Sequence, residues 1–382
     1  MRKCAVCGKE FDKYVPIERK YIDLPKQYGR TQETNSELLN REEYSCPYCY
    51  TPDRDRMIVL FLKRLRACMN QGIDFLEIAP SGALQRYLYK EWGQSNLYTA
   101  DLFMEGVDYR ADIQNMTGIA DDTFDFIVCS HVLEHVQDDR KAMRELNRVL
   151  DAKGLGIIIV PLDLNQSVTD EEWGLSKEEN IRRFGQEDHV RAYNREDYVE
   201  RLKESGFGVH PLKREFFTEQ EFLENALTET ATLYLVYKST VLYGNLEDVI
   251  ENFAKSHSNE ELKRAYQSLA GVCQYWVDLC TVENGVLKIW GWCYIPECNS
   301  KDSKWKLMLE SEKNEYIFGM GVRERNDIQE QFGGEVYDYS YSGIDVQMPT
   351  EGIESGKYAV SILVSNQGRK YRIEAAKEVE IG

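Results

Sequence analysis

Between residues 72 and 163 the chain alternates short apolar runs with amphipathic stretches, and this alternation restricts the fold more than any other feature. The runs are "GIDFLEIAP", "SNLYTADL", "VDYRADI", "TFDFIVCS" and "GLGIIIVPL". Each is short and most are bounded by turn residues, so each reads as a strand. Residues 138–150, "DDRKAMRELNRVL", place Ala142, Leu146, Val149 and Leu150 on one helical stripe. Asp138 and Asp139 stand at the positive end of that helix, and Lys153-Gly154 is expected to close it. Strands alternating with helices predict an α/β domain, a parallel sheet with helices on both faces. Ligands of such sheets bind outside the carboxyl ends of the strands.

Those strand ends carry carboxylates. Glu77 ends the first run, Asp101 the second and Asp112 the third. A dinucleotide fingerprint would need a glycine-rich turn after the first strand. In "LEIAPSG" only Gly82 remains, and Pro80 has no N–H to offer a pyrophosphate. A cofactor without phosphates asks less of that loop. Asp101 suits a pair of ribose hydroxyls and Asp112 an adenine amino group, so an adenosine held by carboxylates points to S-adenosylmethionine. Its sulfonium charge also matches the acidic residues.

After the fourth run comes "HVLEH", with His131, Glu134 and His135 in the order H-x-x-E-H. Two imidazoles one helical turn apart, with a carboxylate between them, form a zinc-peptidase signature when they lie inside a helix. Here the string directly follows a buried strand and precedes a helix that starts near Asp138. It is expected in a strand-to-helix loop, with no second motif to supply a third ligand. The peptidase alternative demands a metal at His131 and His135.

"CAVC" and "CPYC" supply Cys4, Cys7, Cys46 and Cys49. Four thiolates in two knuckles suit structural, tetrahedral zinc, and a closed site of that kind does no chemistry. An excursion over Tyr21–Tyr44 accounts for the long gap between the knuckles. Neither pair lies near a βαβ pattern, which argues against a thioredoxin-like redox pair. The other cysteines, Cys68, Cys129, Cys273, Cys280, Cys293 and Cys298, are scattered, which suits a reducing compartment. Just after the second knuckle, Arg54 and Arg56 flank Asp55, and Met57, Leu60, Phe61, Arg64 and Leu65 follow a helical period. The arginines read as surface charge or pairing at a helix N-terminus, with the clamping of a carboxylate as the alternative.

A chain of 382 residues is too long for one core, so several domains are expected. The net charge of −18 argues against a general nucleic-acid binder. The N-terminus lacks the apolar stretch of a secretory signal, and the longest apolar run is far short of the about 20 residues of a membrane span. A soluble, cytoplasmic protein is expected. Residues 241–275 read as helices, with Ser258 and Glu261 fitting a capping box. Beyond them, short strands separated by turns predict an all-β sandwich. Trp276, Trp290, Trp292 and Trp305 lie in this part, Trp290 and Trp292 on one strand face. They are expected to fill the sandwich core and interface, with stacking on sugars as the alternative.

Residues 72–163 resemble class I S-adenosylmethionine-dependent methyltransferases. "LEIAPSG" resembles the family's first motif in degenerate form, "YTADL" its second and "ADIQNM" its third. "DDTFDFIVCSHVLEHVQDDRKAMRELNRVLDAKGLGIIIVP" resembles the stretch over the fourth and fifth strands, where "HVLEH" is common with no metal attached. "FGQEDHVRAYNREDYVERLKESGF" resembles the segment before the sixth strand in bacterial members, and "TATLYLVYKS" would be the seventh. The knuckles followed by "RDR" resemble the zinc-ribbon front end of a subgroup. The C-terminal part, on "GWCYIP", Arg325 with "NDI", "YSGIDV" and "GKYAV", resembles an accessory β-sandwich of bacterial enzymes that build surface glycans.

The resemblance implies a zinc ribbon over 1–56, a Rossmann-like methyltransferase domain over 57–240, a helical linker over 241–275 and a β-sandwich over 276–382. It implies a cofactor cleft of Glu77, Ala79, Pro80, Ser81, Gly82, Asp101, Leu102, Asp112, Ile113, Ser130 and His131. The implied acceptor is a small molecule or glycan, methylated on a sugar hydroxyl, and the implied partners are glycan-assembly enzymes. A hydroxyl acceptor calls for a base. His189, oriented by Asp188 or Glu187, is the first candidate, with His135, His131 and Asp163 as alternatives. Arg191 and Tyr193 either grip the acceptor or stabilise their loop, and Asn194–Asp197 reads as a helix cap. The alternative function is a non-catalytic glycan-assembly subunit that keeps the fold as a binding module.

Overall fold

The computed structural model describes residues 1–31, 33–69, 73–92, 97–240, 245–256, 267–268, 274–334, 336–366 and 369–382. Cys273 and the Ser258–Glu261 capping box lie outside the described residues. The chain divides into two compact units. One comprises Met1–Cys68, Phe75–Glu91 and Leu97–Phe253, and the other is built mainly from Ala254–Gly382.

The first unit holds a seven-stranded sheet. Its strands are numbered here in chain order: β1 (Phe75–Ile78), β2 (Leu97–Asp101), β3 (Tyr109–Arg110), β4 (Phe124–Ser130), β5 (Leu150–Ile159), β6 (Phe207–Leu212) and β7 (Leu233–Lys238). Their order across the sheet is β3-β2-β1-β4-β5-β7-β6. β1 pairs in parallel with both β2 and β4, and β5 with β4. The sheet departs from the all-parallel expectation only at β7, which runs against both β5 and β6. The order reverses at β1, so the cleft for a ligand opens at the carboxyl ends of β1 and β4.

The helices that matter for the site are α1 (Lys20–Gln27), α2 (Asp53–Ala67), α3 (Gly82–Trp92), α4 (Asp139–Val149), α5 (Lys177–Phe184) and α6 (Arg195–Glu204). Helix α4 buries Ala142, Met143, Leu146 and Val149, and the Asp138 side chain caps it by accepting from Lys141 N. It does not close at Lys153-Gly154. The chain passes directly from Val149 into β5, and Lys153 and Gly154 lie inside that strand. Pairing of Leu150 with Phe124 captures the residues that a terminating loop would have used. Helix α2 is buried on more than one stripe, since Met57, Ile58, Val59, Leu60, Phe61 and Leu62 are all enclosed. Phe61 lies 6.3 Å from Phe126 of β4, whose ring stacks on Phe75 of β1 at 5.0 Å.

The C-terminal unit is a β-sandwich. A five-stranded sheet contains Ser303–Glu310, Glu315–Met320, Gly356–Asn366 and Arg369–Ile381, and a four-stranded sheet contains Gln274–Glu283, Val286–Tyr294 and Gly343–Pro349. Their inner faces share one core that includes Leu287, Ile289, Leu307, Leu309, Ile362 and Val364. The helical expectation for 241–275 holds for Leu246–Ser256 but fails at its end, where Gln274 and Tyr275 begin a strand paired with Val286–Tyr294. Trp305 is buried as expected. Trp276 and Trp290 are not core residues, being 62% and 42% exposed. They fall on the outer face of a sheet whose inner face is already filled by Leu287, Ile289 and Cys293.

Removal of the Phe126 ring would leave a cavity between β1, β4 and α2. Phe126→Ala is expected to destabilise the first unit by about 3–5 kcal/mol, read from the shift in its urea unfolding midpoint.

Candidate functional site

The site is built where two loops meet. The first leaves β4 at Ser130. His131 has a left-handed backbone, φ 58°, which turns the chain sharply outward. A single 3₁₀ turn over Leu133–His135 follows, and α4 starts only at Asp139. The H-x-x-E-H string therefore lies in a loop, not in the helix that the peptidase signature requires. The second loop is Asp188–Ala192, between α5 and α6.

The two loops are joined along their backbones. Val190 N donates to Glu134 O at 2.9 Å. The buried Arg191 guanidinium donates to the carbonyls of Leu133, Val136 and Gln137. Tyr193 OH donates to Asp139 Oδ2 at 2.7 Å, and Arg201 bonds the same oxygen. Arg191 and Tyr193 thus stabilise the loop, and Asn194 caps α6 by accepting from Asp197 N. The union places the His135 and His189 rings edge to face, centroids 4.8 Å apart.

Asp188 orients His135 rather than His189. His135 Nδ1 lies 3.2 Å from Asp188 O and 3.3 Å from its carboxylate. Burial pulls the His135 pKa down, but the bond to Asp188 and the charge of Glu134 lift it above the usual imidazole value. His189 is 5% exposed, and burial and the neighbouring His135 hold it down to about 3. It stays neutral at physiological pH and is a weak proton acceptor. Glu187 instead faces Lys177 at the surface. Glu134 is completely buried, which raises it to about 7 against the lowering pull of His135. Burial, then the charge of Arg54, lower His131 well below an ordinary histidine.

His131, Glu134, His135 and His189 line a cavity of about 450 Å³. Its opposite wall is the excursion between the knuckles, which contributes Tyr21, Ile22, Arg30, Leu38, Leu39 and Tyr44. The excursion is stitched to the end of β5: Leu164 N donates to Asn35 O, Glu37 N to Leu162 O, and Asn35 N to Asp163 Oδ1. Asp163, an alternative base, is occupied in this way and also receives Asn165 N. From sequence the excursion was only a spacer, and no local signal marks it as a cavity wall.

Of the residues implied to hold the cofactor, only His131 lines the cavity. Ala79 has φ 50°, which swings the chain out of β1. Ser81 N donates to Glu77 Oε1 and Ser81 Oγ to Asp55 Oδ2, each at 3.0 Å. Pro80 and Gly82 flank Ser81 at the start of α3. Asp101 Oδ1 receives the N–H groups of Phe103 and Met104. Leu102, Phe103 and Met104 expose apolar side chains beside it. Asp112 bonds Gln114, and Ile113 is buried behind it. Glu77 Oε2 and Ser130 Oγ are buried with no hydrogen-bond partner. Unpartnered polar atoms at the ends of β1 and β4, beside exposed apolar side chains at the end of β2, fit an adenosine-bearing ligand with a polar tail.

Of the readings for the two arginines, surface charge fails for the buried Arg56, while Arg54 is half-buried and pairs with Asp55 at the start of α2. Arg54 lines the cavity and donates to Tyr44 OH at 2.8 Å, with Asp55 at 3.7 Å. Arg56 is fully buried over the Tyr14 ring and donates to the carbonyls of Glu43, Tyr44, Thr51 and Asn225. The four knuckle cysteines converge, with Cys4 Sγ 3.7 Å from Cys49 Sγ and Cys7 Sγ 3.8 Å from Cys46 Sγ. The residue after each knuckle, Gly8 and Tyr50, has a left-handed backbone, so the two turns are alike.

Residues 76–158, from β1 through β5, match the family described as "Methyltransferase domain". No curated protein matches the chain. Similar solved structures include an S-adenosylmethionine-dependent methyltransferase from Mesorhizobium loti. It is 17% identical, over 46% of this chain and 95% of that one, with a TM-score of 0.32. Another is phosphoethanolamine N-methyltransferase 2 of Haemonchus contortus, in complex with S-adenosyl-L-methionine. It is 15% identical, over 49% of this chain and 52% of that one, with a TM-score of 0.31. Among the described residues no helix is long and apolar enough to cross a membrane.

Burial raises Glu77 from 4.5 to about 8, with Asp55 adding to the effect. The folded protein therefore holds this proton more tightly than the unfolded chain. That contribution is complete below about pH 4.5 and is lost as pH rises through about 8. Glu77→Gln is expected to gain stability relative to the parent between about pH 5 and 8, measured as the difference in Tm across that range.

Proposed function

The chain carries a class I S-adenosylmethionine-dependent methyltransferase domain, and from that premise we propose that it methylates a hydroxyl of a sugar or surface-glycan precursor. The observation that carries this reading is the cavity. It opens at the carboxyl ends of β4 and β5, and His131, which follows β4, lines its wall. Its lining mixes hydrogen-bonding groups (Arg30, Arg41, Arg54, Asp163, His135) with apolar ones (Ile17, Ile22, Leu38, Leu39). A sugar offers the same mixture of hydroxyls and C–H faces. The charge of −18 opposes polyanionic acceptors. Enzymes that assemble such glycans are the partners this reading assigns.

When bound, the cofactor supplies an activated methyl group. The chain's task is to hold the acceptor oxygen in line with it and to accept the hydroxyl proton. The cluster of Glu134, His135 and His189 faces that position. Within it, His135 is the best oriented, because Asp188 fixes one ring nitrogen and leaves the other toward Glu134. His189 packs against it as support. His135→Gln is expected to lower kcat by about 10²–10⁴, and His189→Ala to lower it by a smaller factor. Affinity for S-adenosylhomocysteine, measured by calorimetry, is expected to stay within about twofold. Equal losses in both quantities would refute the assignment. No binding of S-adenosylhomocysteine to the parent protein would favour the non-catalytic subunit instead.

We further propose that the four N-terminal cysteines hold zinc. A tetrahedron with Zn–S bonds of about 2.3 Å has S···S edges of about 3.8 Å, which matches the separations of 3.7 and 3.8 Å. Such a site binds no substrate. It fixes the knuckles between which the cavity wall is strung. Cys4→Ser is expected to lose one zinc per chain by metal analysis and to weaken acceptor binding while the cofactor still binds.

A further inference from the structure

We propose that Glu134, His135 and His189 form a binding site for a divalent metal ion of the manganese or zinc kind on the wall of the acceptor cavity. One ligand atom from each residue lies within 4.8 Å of the others. His135 Nε2 is 3.8 Å from Glu134 Oε1. Ligand bonds of about 2.0–2.2 Å place neighbouring donors about 3.0–3.5 Å apart, so small side-chain rotations close the site.

Three further observations favour a cation here. First, Glu134 is completely buried and neither of its oxygens has a hydrogen-bond partner. Two imidazole nitrogens stand near it without bonding it, His131 Nδ1 at 3.5 Å and His135 Nε2 at 3.8 Å. A buried carboxylate is costly unless it is paired or bound to a metal. Second, one of the two histidines already has an outer partner: His135 Nδ1 is held by Asp188. Metal-binding histidines use their second nitrogen in this way, which fixes the tautomer and directs the free lone pair at the ion. Third, the ligands stand on a braced frame. Val190 N bonds Glu134 O between the two histidines, and Arg191 ties down three carbonyls of the same loop.

Two imidazoles and one carboxylate leave coordination positions open toward the cavity. This inference rests on reading that cavity as the acceptor site, and it narrows the acceptor. A cation bound here would take an acceptor hydroxyl as a ligand and lower its pKa. With the ion bound, His135 is its ligand and not the base: the O–H bond breaks and its proton leaves to solvent, the new O–CH₃ bond forms, and the S–CH₃ bond of the donor breaks with its electron pair on sulfur. An acceptor with two adjacent oxygens, a vicinal diol or a hydroxy acid, would chelate the ion. The arrangement differs from a peptidase site, because Glu134 is itself a ligand and His131 is not.

The test uses the full chain, freed of labile metal with a chelator and titrated with Mn²⁺, the free ion being read by electron paramagnetic resonance. One Mn²⁺ per chain is expected. Glu134→Gln should weaken it at least about tenfold and Asp188→Asn by about 10–100-fold, while Tm and S-adenosylhomocysteine affinity stay near the parent values. Cys4→Ser, which removes none of the three ligands, should leave Mn²⁺ binding unchanged. The proposal is overturned if the parent takes up no Mn²⁺, Co²⁺ or Zn²⁺ beyond what the cysteines retain. Equal Mn²⁺ affinity in the parent and Glu134→Gln overturns it as well. Failure of the methyl-transfer reading shows separately, as loss of S-adenosylhomocysteine binding in a protein that still binds Mn²⁺.

Discussion

Arg56 is the fastening on which the rest of the first unit depends. Its guanidinium is wholly buried, lies 3.8 Å over the Tyr14 ring, and donates to the carbonyls of Glu43, Tyr44, Thr51 and Asn225. Those partners come from the end of the excursion, the second knuckle and the segment before β7. One planar cation with five N–H donors can satisfy several carbonyls that no helix or strand would reach. The N-terminal knuckles, the cavity wall and the sheet are thereby held in one arrangement.

The neighbouring residues divide the remaining tasks. Successive residues on a helix point about 100° apart. At the start of α2, therefore, Arg54 reaches the cavity, Asp55 bonds Ser81 in the loop after β1, and Arg56 enters the fastening. A chain of contacts runs from Tyr44 through Arg54, Asp55 and Ser81 to Glu77. It links the cavity wall to the cofactor cleft. The glycine-poor loop "APSG" is supported by these side chains. Its geometry comes from the left-handed Ala79 and the bonds to Ser81, where other sheets of this type rely on glycines.

The same logic explains why "HVLEH" is not a peptidase helix. The carbonyls of Leu133, Val136 and Gln137 are taken by Arg191, and that of Glu134 by Val190 N. An α-helix through these residues would need those carbonyls for its own bonds. The loop is stable because a second loop, more than fifty residues later, supplies the missing donors. His135 and His189 meet only through that pairing.

The sheet was legible in the sequence. β1, β2 and β4 are apolar runs bounded by turns, β5 contains most of the longest apolar run, and the caps Asp138 and Asn194 stand where helix starts were expected. The two knuckles were legible as well, because C-x-x-C spacing brings thiols together locally. Local patterns of this kind depend on neighbouring residues and survive without knowledge of the fold. The excursion as cavity wall, the burial of Arg56, the isolation of Glu134, and the preference of Asp188 for His135 over His189 were not legible. So too was the outward turn of Trp276 and Trp290, which depends on which sheet face Leu287 and Ile289 fill. Each of these is set by a partner far away in the chain. Sequence specifies the groups and their local geometry, but which buried charge finds which acceptor is decided only when distant segments pack and water is excluded.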